Sequence, residues 1–309
     1  MARWITCKYL MNGVCLQKII HLAIINTICV CGAGTMGSGI AQVAAMAGYT
    51  TIQFDVNEAM LEKSKTAIQT NLQKLVEKGK ITPAARQEIM GRLLFTPNIQ
   101  ACRADLVIEA IIEDKAAKIN LFTSLAAVNS IETIFASNTS SISVTEIAEQ
   151  VENPARIAGM HFFNPAPLMK LVEVVKTNYT ANQAISTVIT VARQMGKTPV
   201  VCTDSPGFIV NRVARHYYLE AMKLVELGLA DITTVDTIME AAGFKMGPFR
   251  LMDLIGLDVN YSVSNIVWNA LGQPERLTPS PLQKQKVDAG ELGAKSGKGW
   301  TTPSPKGGL

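Results

Sequence analysis

The chain lacks the marks of a nucleic-acid binder, a metalloprotein and a membrane protein. It has no long run of one charge sign. Its 29 basic and 25 acidic residues leave a net +4 over 309 residues, a balance that gives no support to nucleic-acid binding and suits a phosphate-bearing ligand. Six cysteines, Cys7, Cys15, Cys29, Cys31, Cys102 and Cys202, have no zinc-ligand spacing. No metal site is therefore expected, and reduced thiols in a cytoplasmic protein fit better than a disulfide framework. No charged residue occurs from position 19 to position 54. Gly32, Gly34, Gly37 and Gly39 nevertheless cut this stretch into a β-rich run at 24–31 and a small-residue helix at 38–47. Neither piece reaches the ~20 apolar residues that a membrane span requires. No internal repeat stands out.

What is present is enough apolar material, 48% of residues against 17% charged, for one large or two modest domains. From residue 24 to about 200, apolar runs alternate with helical segments, the pattern of a parallel sheet wrapped by helices. Strands are expected at 24–31, 51–55, 106–110, 133–137, 157–162 and 170–175. Between the second and third lie two helical stretches, 58–78 and 84–94, more than one crossover needs, so a helical hairpin is expected to project from the sheet. Composition changes at Thr203-Asp204-Ser205-Pro206-Gly207. Beyond it, Ile209, Val213, Tyr217 and Leu224 recur at helical spacing as far as Gly228, a second helix spans 233–243, and more helix follows Pro248. The expected organisation is an extension of uncertain structure at 1–22, a Rossmann-type α/β domain at 23–204, an all-α domain at 205–300 and a tail at 301–309. The first helix of the all-α domain carries apolar residues on more than one side. Burial against a partner subunit and packing within one chain explain this equally well.

The strand expected at 24–31 leads into Gly32-Ala33-Gly34-Thr35-Met36-Gly37, a GxGxxG that opens a helix. Gly32 permits the tight turn, Gly34 lets a pyrophosphate approach the backbone, and Gly37 lets helix and strand pack closely. Phosphate then sits at a helix N-terminus, where amides and dipole favour an anion. The glycine pattern alone is a weak signal, but Asp55 stands eighteen residues beyond Gly37, at the end of the second strand. Its carboxylate would accept the adenosine ribose hydroxyls and repel a ribose phosphate, so NAD is expected rather than NADP.

His161, one of only three histidines, lies in Gly159-Met160-His161-Phe162-Phe163-Asn164-Pro165. Pro165 and Pro167 break the chain between two apolar runs, so the strands either side form a hairpin that sets His161 opposite Glu173. An imidazole held by a carboxylate is a general base.

Ser137-Asn138-Thr139-Ser140-Ser141, His161-Phe162-Phe163-Asn164-Pro165 and Pro206-Gly207-Phe208-Ile209-Val210-Asn211-Arg212 occur in this order, with further characteristic stretches at 32–45, 107–118 and 246–249. By these motifs the chain, from about residue 24 to 300, resembles the L-3-hydroxyacyl-CoA dehydrogenases, including the bacterial 3-hydroxybutyryl-CoA dehydrogenases. The resemblance implies oxidation of the 3-hydroxyl of an acyl-CoA with hydride passing to NAD, or the reverse reduction, in fatty-acid or butanoate metabolism. His161 would take the hydroxyl proton and Glu173 would orient it. Ser140 and Asn211 would hold the substrate oxygen, Asn164 would lie near the nicotinamide carboxamide, and Glu113, Lys118 and Lys295 would lie near the cofactor. Asn71 and Lys78, on the helical hairpin, would face the nucleotide of coenzyme A. Read without the resemblance, Ser140 is a turn or cap residue, Asn211 an early helix residue, and Lys78 part of a solvated helix face. Serine is familiar where Asn71 stands, and a Phe-Tyr pair where Trp300 stands. The resemblance also implies a homodimer through the helical domain. Two alternatives share the fold: a crystallin-like relative of weak activity, and a dehydrogenase of small β-hydroxy acids, which typically uses a lysine where this chain has His161 and Glu173.

Overall fold

Ile28, Cys29, Val30 and Cys31 in the strand Thr27–Cys31 (β1) are wholly inaccessible to solvent. A strand covered on both faces belongs inside a sheet between helical layers, and that is its place in the computed structural model, which describes residues 24–301. The expected extension at 1–22 lies outside these residues, as does all of the tail except Thr301. The chain divides into two units between Asp204 and Ser205.

In the first unit, β1 is followed by Thr35–Met46 (α1), Thr50–Phe54 (β2), Glu58–Glu77 (α2), Pro83–Gly91 (α3) and Leu93–Thr96 (β3). Then come Leu106–Glu109 (β4), Lys115–Ala126 (α4), Ile134–Ser137 (β5), Val144–Ala148 (α5), Ile157–Phe162 (β6), Leu171–Lys176 (β7), Asn182–Gln194 (α6) and Thr198–Thr203 (β8). The sheet order is β3-β2-β1-β4-β5-β6-β7-β8. All neighbours are parallel except β6 and β7, the expected hairpin. Helices cover both faces. Ile134 and Ala136 join the apolar cluster that includes Ile40 and Val43 of α1, while Phe135 between them meets Phe122 of α4 at 5.3 Å. Ile40, Phe122 and Phe135 are fully buried, and each such large side chain contributes roughly 1.5–3 kcal/mol.

The six expected strands are present, with ends shifted by up to three residues, and two further strands are present that were not expected. The helix expected at 84–94 stops at Gly91, and Leu93–Thr96 turns into β3 beside β2. β8 contains Pro199 and leaves Val200 and Val201 exposed. An outermost strand tolerates a proline because one side of its backbone ladder needs no partner, and exposure on the open edge erases the alternation that marks half-buried strands.

The helix hairpin lies between β2 and β3. Asn57 caps α2, its side chain accepting from the amides of Ala59 and Met60. Leu61, Ser64, Ile68 and Leu72 form its buried stripe, spaced as one helix face. Ile68 and Leu72 join the same core as α1.

The second unit is helical: Val210–Glu226 (α7), Ile232–Ala241 (α8), Pro248–Ile255 (α9), Leu257–Ala270 (α10) and Pro281–Asp288 (α11). Met222, Phe249, Met252, Leu257 and Val267 are buried in its core. Asp236 of α8 accepts the amides of Phe249 and Arg250 and so caps α9. Trp300 packs edge-on to Phe249 at 5.2 Å, and Asp253 accepts its backbone amide at 2.8 Å.

Candidate active site

The glycine turn joins β1 to α1 at the carboxyl edge of the sheet, where open parallel sheets bind ligands. Gly32 has φ +103°, and a Cβ there would lie 2.4 Å from the Ala110 carbonyl oxygen. A Cβ on Gly37 would lie 1.9 Å from the Gly32 oxygen. Gly34 differs, since a Cβ there would meet nothing within 4 Å. The fold itself therefore does not demand glycine at 34, but a ligand approaching the backbone would. Gly34 also N-caps α1 without a capping side chain, which suits the first helical amides to a phosphate. Asp55, just past β2, accepts the Ala33 amide at 2.8 Å and the Asn57 amide at 2.9 Å. This places its carboxylate beside the turn that would hold the pyrophosphate. Open room at Gly34, helical amides and a carboxylate next to the turn fit a dinucleotide.

The ends of β4 and β5 form a second cluster. Lys118 is 1% accessible, and its ammonium donates to Glu109 Oε1 at 2.6 Å and approaches Glu113 Oε2 at 3.2 Å. Glu113 Oε1 accepts the Thr139 hydroxyl at 2.6 Å, the Ser140 amide at 3.0 Å, the Ser140 hydroxyl at 3.4 Å and the Ser141 hydroxyl at 3.1 Å. Burial raises the pKa of Glu113, but the Lys118 charge and the Thr139 and Ser140 donors outweigh it and hold the carboxyl below its ordinary value. Lys118 is thus the buried centre of an ion-pair cluster, and the more exposed Glu113 links it to the loop after β5. Glu109 received no role from the sequence. Its one signal is a carboxylate directly after Leu106-Val107-Ile108, where a buried strand should be apolar.

His161 sits near the end of β6 opposite Glu173 of β7 in the antiparallel register. Its Nδ1 lies 2.8 Å from Glu173 Oε2, and both residues are buried. A carboxylate can only accept, so Nδ1 carries the proton in the neutral ring and Nε2 carries the basic lone pair. Phe163 packs against the imidazole with ring centroids 4.5 Å apart. Asn138, after β5, accepts the Phe162 amide at 2.8 Å and fixes the strand end next to His161.

Asn164 is exposed and precedes the cis peptide bond to Pro165. Lys197, beyond α6, holds this turn through the carbonyls of Ala166 and Met169. Desolvation, reinforced by the nearby Lys170 charge, brings the Lys197 pKa down to about 8.

Asn71 and Lys78 belong to the helix hairpin. Asn71 reaches back to Gln42 of α1 at 3.3 Å, and Lys78 is the exposed C-cap of α2. In the second unit, Asn211 is in the first turn of α7, where its carbonyl accepts Arg215 Nε at 3.0 Å. The same guanidinium binds Asn260 and Ser264 of α10, tying that turn down. Lys295 pairs with Asp258 at 2.5 Å.

Residues 27–205 match the 3-hydroxyacyl-CoA dehydrogenase NAD binding domain, and residues 207–302 match the C-terminal domain of the same family. The chain belongs to the 3-hydroxyacyl-CoA dehydrogenase family. It is 45% identical over 277 residues to the 3-hydroxyadipyl-CoA dehydrogenase of Escherichia coli K12, an alignment covering 89% of this chain and 58% of that protein. It is 42% identical over 273 residues to the "Probable 3-hydroxybutyryl-CoA dehydrogenase" of Deinococcus radiodurans, covering 88% of this chain and 98% of that one. The crystal structure of a 3-hydroxybutyryl-CoA dehydrogenase from Escherichia coli K12 superposes with a TM-score of 0.89 at 43% identity, over 93% of this chain and 62% of that one. The chain therefore spans about three fifths of two of these family members and nearly all of the third. Family membership gives the first unit its cofactor, NAD, and matches the Rossmann-like sheet and helical second unit. Among the described residues no helix is long and apolar enough to cross a membrane.

Proposed function

We propose that this protein interconverts an L-3-hydroxyacyl-CoA and the corresponding 3-ketoacyl-CoA, with short-chain substrates such as 3-hydroxybutyryl-CoA and acetoacetyl-CoA. The observation that carries the reading is the buried pair of His161 Nδ1 and Glu173 Oε2 at 2.8 Å. NAD, when bound, supplies the hydride acceptor at C4 of its nicotinamide ring. His161 Nε2 takes the proton of the 3-hydroxyl, which eases departure of the hydride from the same carbon. Glu173 keeps the ring in the tautomer that can accept this proton and stabilises the imidazolium that results. Ser140 and Asn211 hold the substrate oxygen. The glycine turn and Asp55 hold the cofactor's pyrophosphate and adenosine ribose, with Asn164, Glu113, Lys118 and Lys295 towards its other end. Asn71 and Lys78 are assigned to coenzyme A.

The assignment is tested by giving the purified protein NADH with acyl-CoA substrates from acetoacetyl-CoA to 3-oxoadipyl-CoA. The series matters because the named relatives differ in the acyl chain. Oxidation of NADH that depends on the acyl-CoA is expected, and its absence at every chain length would remove the reading.

We also infer a cytoplasmic homodimer formed through the helical unit. Val213, Leu229 and Ile238 there are each more than half exposed, apolar side chains that an interface on this unit would cover. Sedimentation as a monomer at micromolar concentration would contradict it.

A further inference from the structure

We propose that Glu109 is a positioning residue, one that places Ser140 for the substrate without touching the substrate itself. The proposal rests on the reaction assigned above.

Glu109 ends β4, and the sheet register aligns it with Cys31 of β1 on one side and Ser137 of β5 on the other. It therefore stands between the strand that feeds the glycine turn and the strand that feeds Asn138-Thr139-Ser140. Its side chain is inaccessible to solvent. A carboxylate there is costly unless both oxygens are satisfied. Oε1 accepts Lys118 Nζ at 2.6 Å and the Ile111 amide at 2.8 Å, and Oε2 accepts the Ser137 hydroxyl at 2.6 Å.

Two routes lead from these bonds to the Ser140 loop. In the first, Glu109 fixes Lys118, and Lys118 fixes Glu113 at 3.2 Å. Glu113 then gathers Thr139, Ser140 and Ser141 onto a single oxygen. In the second, Ser137 must donate to Glu109, because a carboxylate offers only acceptors. That leaves a Ser137 lone pair for the Thr139 amide at 3.2 Å. Both routes converge on the backbone at 139 and 140. The Ser140 amide is held at 3.0 Å, whereas its hydroxyl contact with Glu113 is 3.4 Å, long for an O–H···O bond. The backbone that carries the Ser140 side chain is thereby fixed.

Stability alone does not explain such a cluster. A buried ion pair replaced by apolar side chains of the same volume often leaves a fold as stable or more so. What the apolar version cannot supply is a directional hold on Glu113, and through it on Ser140.

The test is a double-mutant cycle with Glu109→Gln and Ser140→Ala, read as kcat for NADH oxidation with acetoacetyl-CoA. The glutamine side chain preserves volume but not the acceptor-only carboxylate, so Glu109→Gln alone is expected to lower kcat about tenfold, as small misplacements of a reacting group do. In the Ser140→Ala background the same change is expected to cost less than about twofold, because the group it places has gone. A general structural defect would instead act equally in both backgrounds. Losses that multiply, or a Glu109→Gln enzyme with undiminished kcat, would overturn the proposal. Should Glu109→Gln not fold, as judged by circular dichroism, Ser137→Ala breaks the second route alone, and its loss in kcat is expected to vanish in the same background. A wild-type protein without acyl-CoA-dependent NADH oxidation would remove both the reaction and this role. An active wild type with multiplying losses would remove only the role of Glu109.

Discussion

His161 and Glu173 face each other across the one antiparallel strand pair of an otherwise parallel sheet, joined by a 2.8 Å contact from Nδ1 to Oε2. The hairpin matters because strands in register hold two side chains at a fixed separation without help from a loop. Glu173→Gln tests what that carboxylate contributes. The amide has nearly the same shape but can donate to Nδ1, which would place the ring proton on Nε2 and remove the base. The expected result is a fall in kcat of about 10²- to 10⁴-fold with little change in KM, and His161→Ala should lose ~10²-fold or more. Steady-state kinetics of a Glu173→Gln enzyme within about twofold of wild type would rule out an orienting role.

Asp55 combines two tasks that can be separated. Its carboxylate holds the Ala33 amide of the glycine turn and, in the proposed complex, the adenosine ribose. Asp55→Ser keeps an oxygen for a short hydrogen bond and removes the negative charge. The ratio of kcat/KM for NAD over NADP should fall, chiefly because NADP is no longer repelled. An unchanged ratio would leave Asp55 only its part in the turn.

Gly34 and Gly37 make a matched pair of controls. A Cβ at 37 would overlap the Gly32 carbonyl oxygen at 1.9 Å, whereas a Cβ at 34 meets nothing within 4 Å. Gly37→Ala should therefore destabilise the protein by about 1–3 kcal/mol or prevent folding, as overpacking against rigid backbone does. Gly34→Ala should fold with nearly the wild-type melting temperature, yet bind NAD roughly tenfold or more weakly, a cost of about 1.4 kcal/mol or above. Thermal melts and NAD titrations on both variants check this, and normal NAD affinity in Gly34→Ala would place the pyrophosphate elsewhere.

The parts of this site that were legible in the sequence are those set by local spacing. Two prolines mark the turn at 165–167, and counting back along period-two strands sets His161 against Glu173, the observed register. The glycine turn and Asp55 are legible for the same reason. β8 was missed because Pro199 and the exposed Val200 and Val201 remove every strand signal but β-branching. Glu109 was missed because its partners, Lys118 and Ser137, come together only when β4, α4 and β5 assemble. No spacing in one chain tells a carboxylate buried with a lysine from one pointing at water.

Glu113 makes the stability of the Ser140 loop depend on pH in a direction that can be worked out. Burial alone would raise its pKa, but Lys118, Thr139 and Ser140 favour the carboxylate more strongly and hold it below the ordinary value. The unfolded chain, with a glutamate pKa near ~4.3, then binds the proton more readily than the folded one. By linkage, the stabilisation from Glu113 is complete above that unfolded value and is lost as pH falls through the folded one. Glu113→Gln lacks this term at every pH. Wild type should therefore be the more stable protein at pH 7, and the difference should shrink as the pH is taken below ~4.3. Urea midpoints for both proteins across this range measure it. Other depressed carboxylates such as Asp258 are common to both proteins and cancel in the difference. A gap that stays constant on acidification would mean that Glu113 is not held ionised by Lys118 and the Ser140 loop.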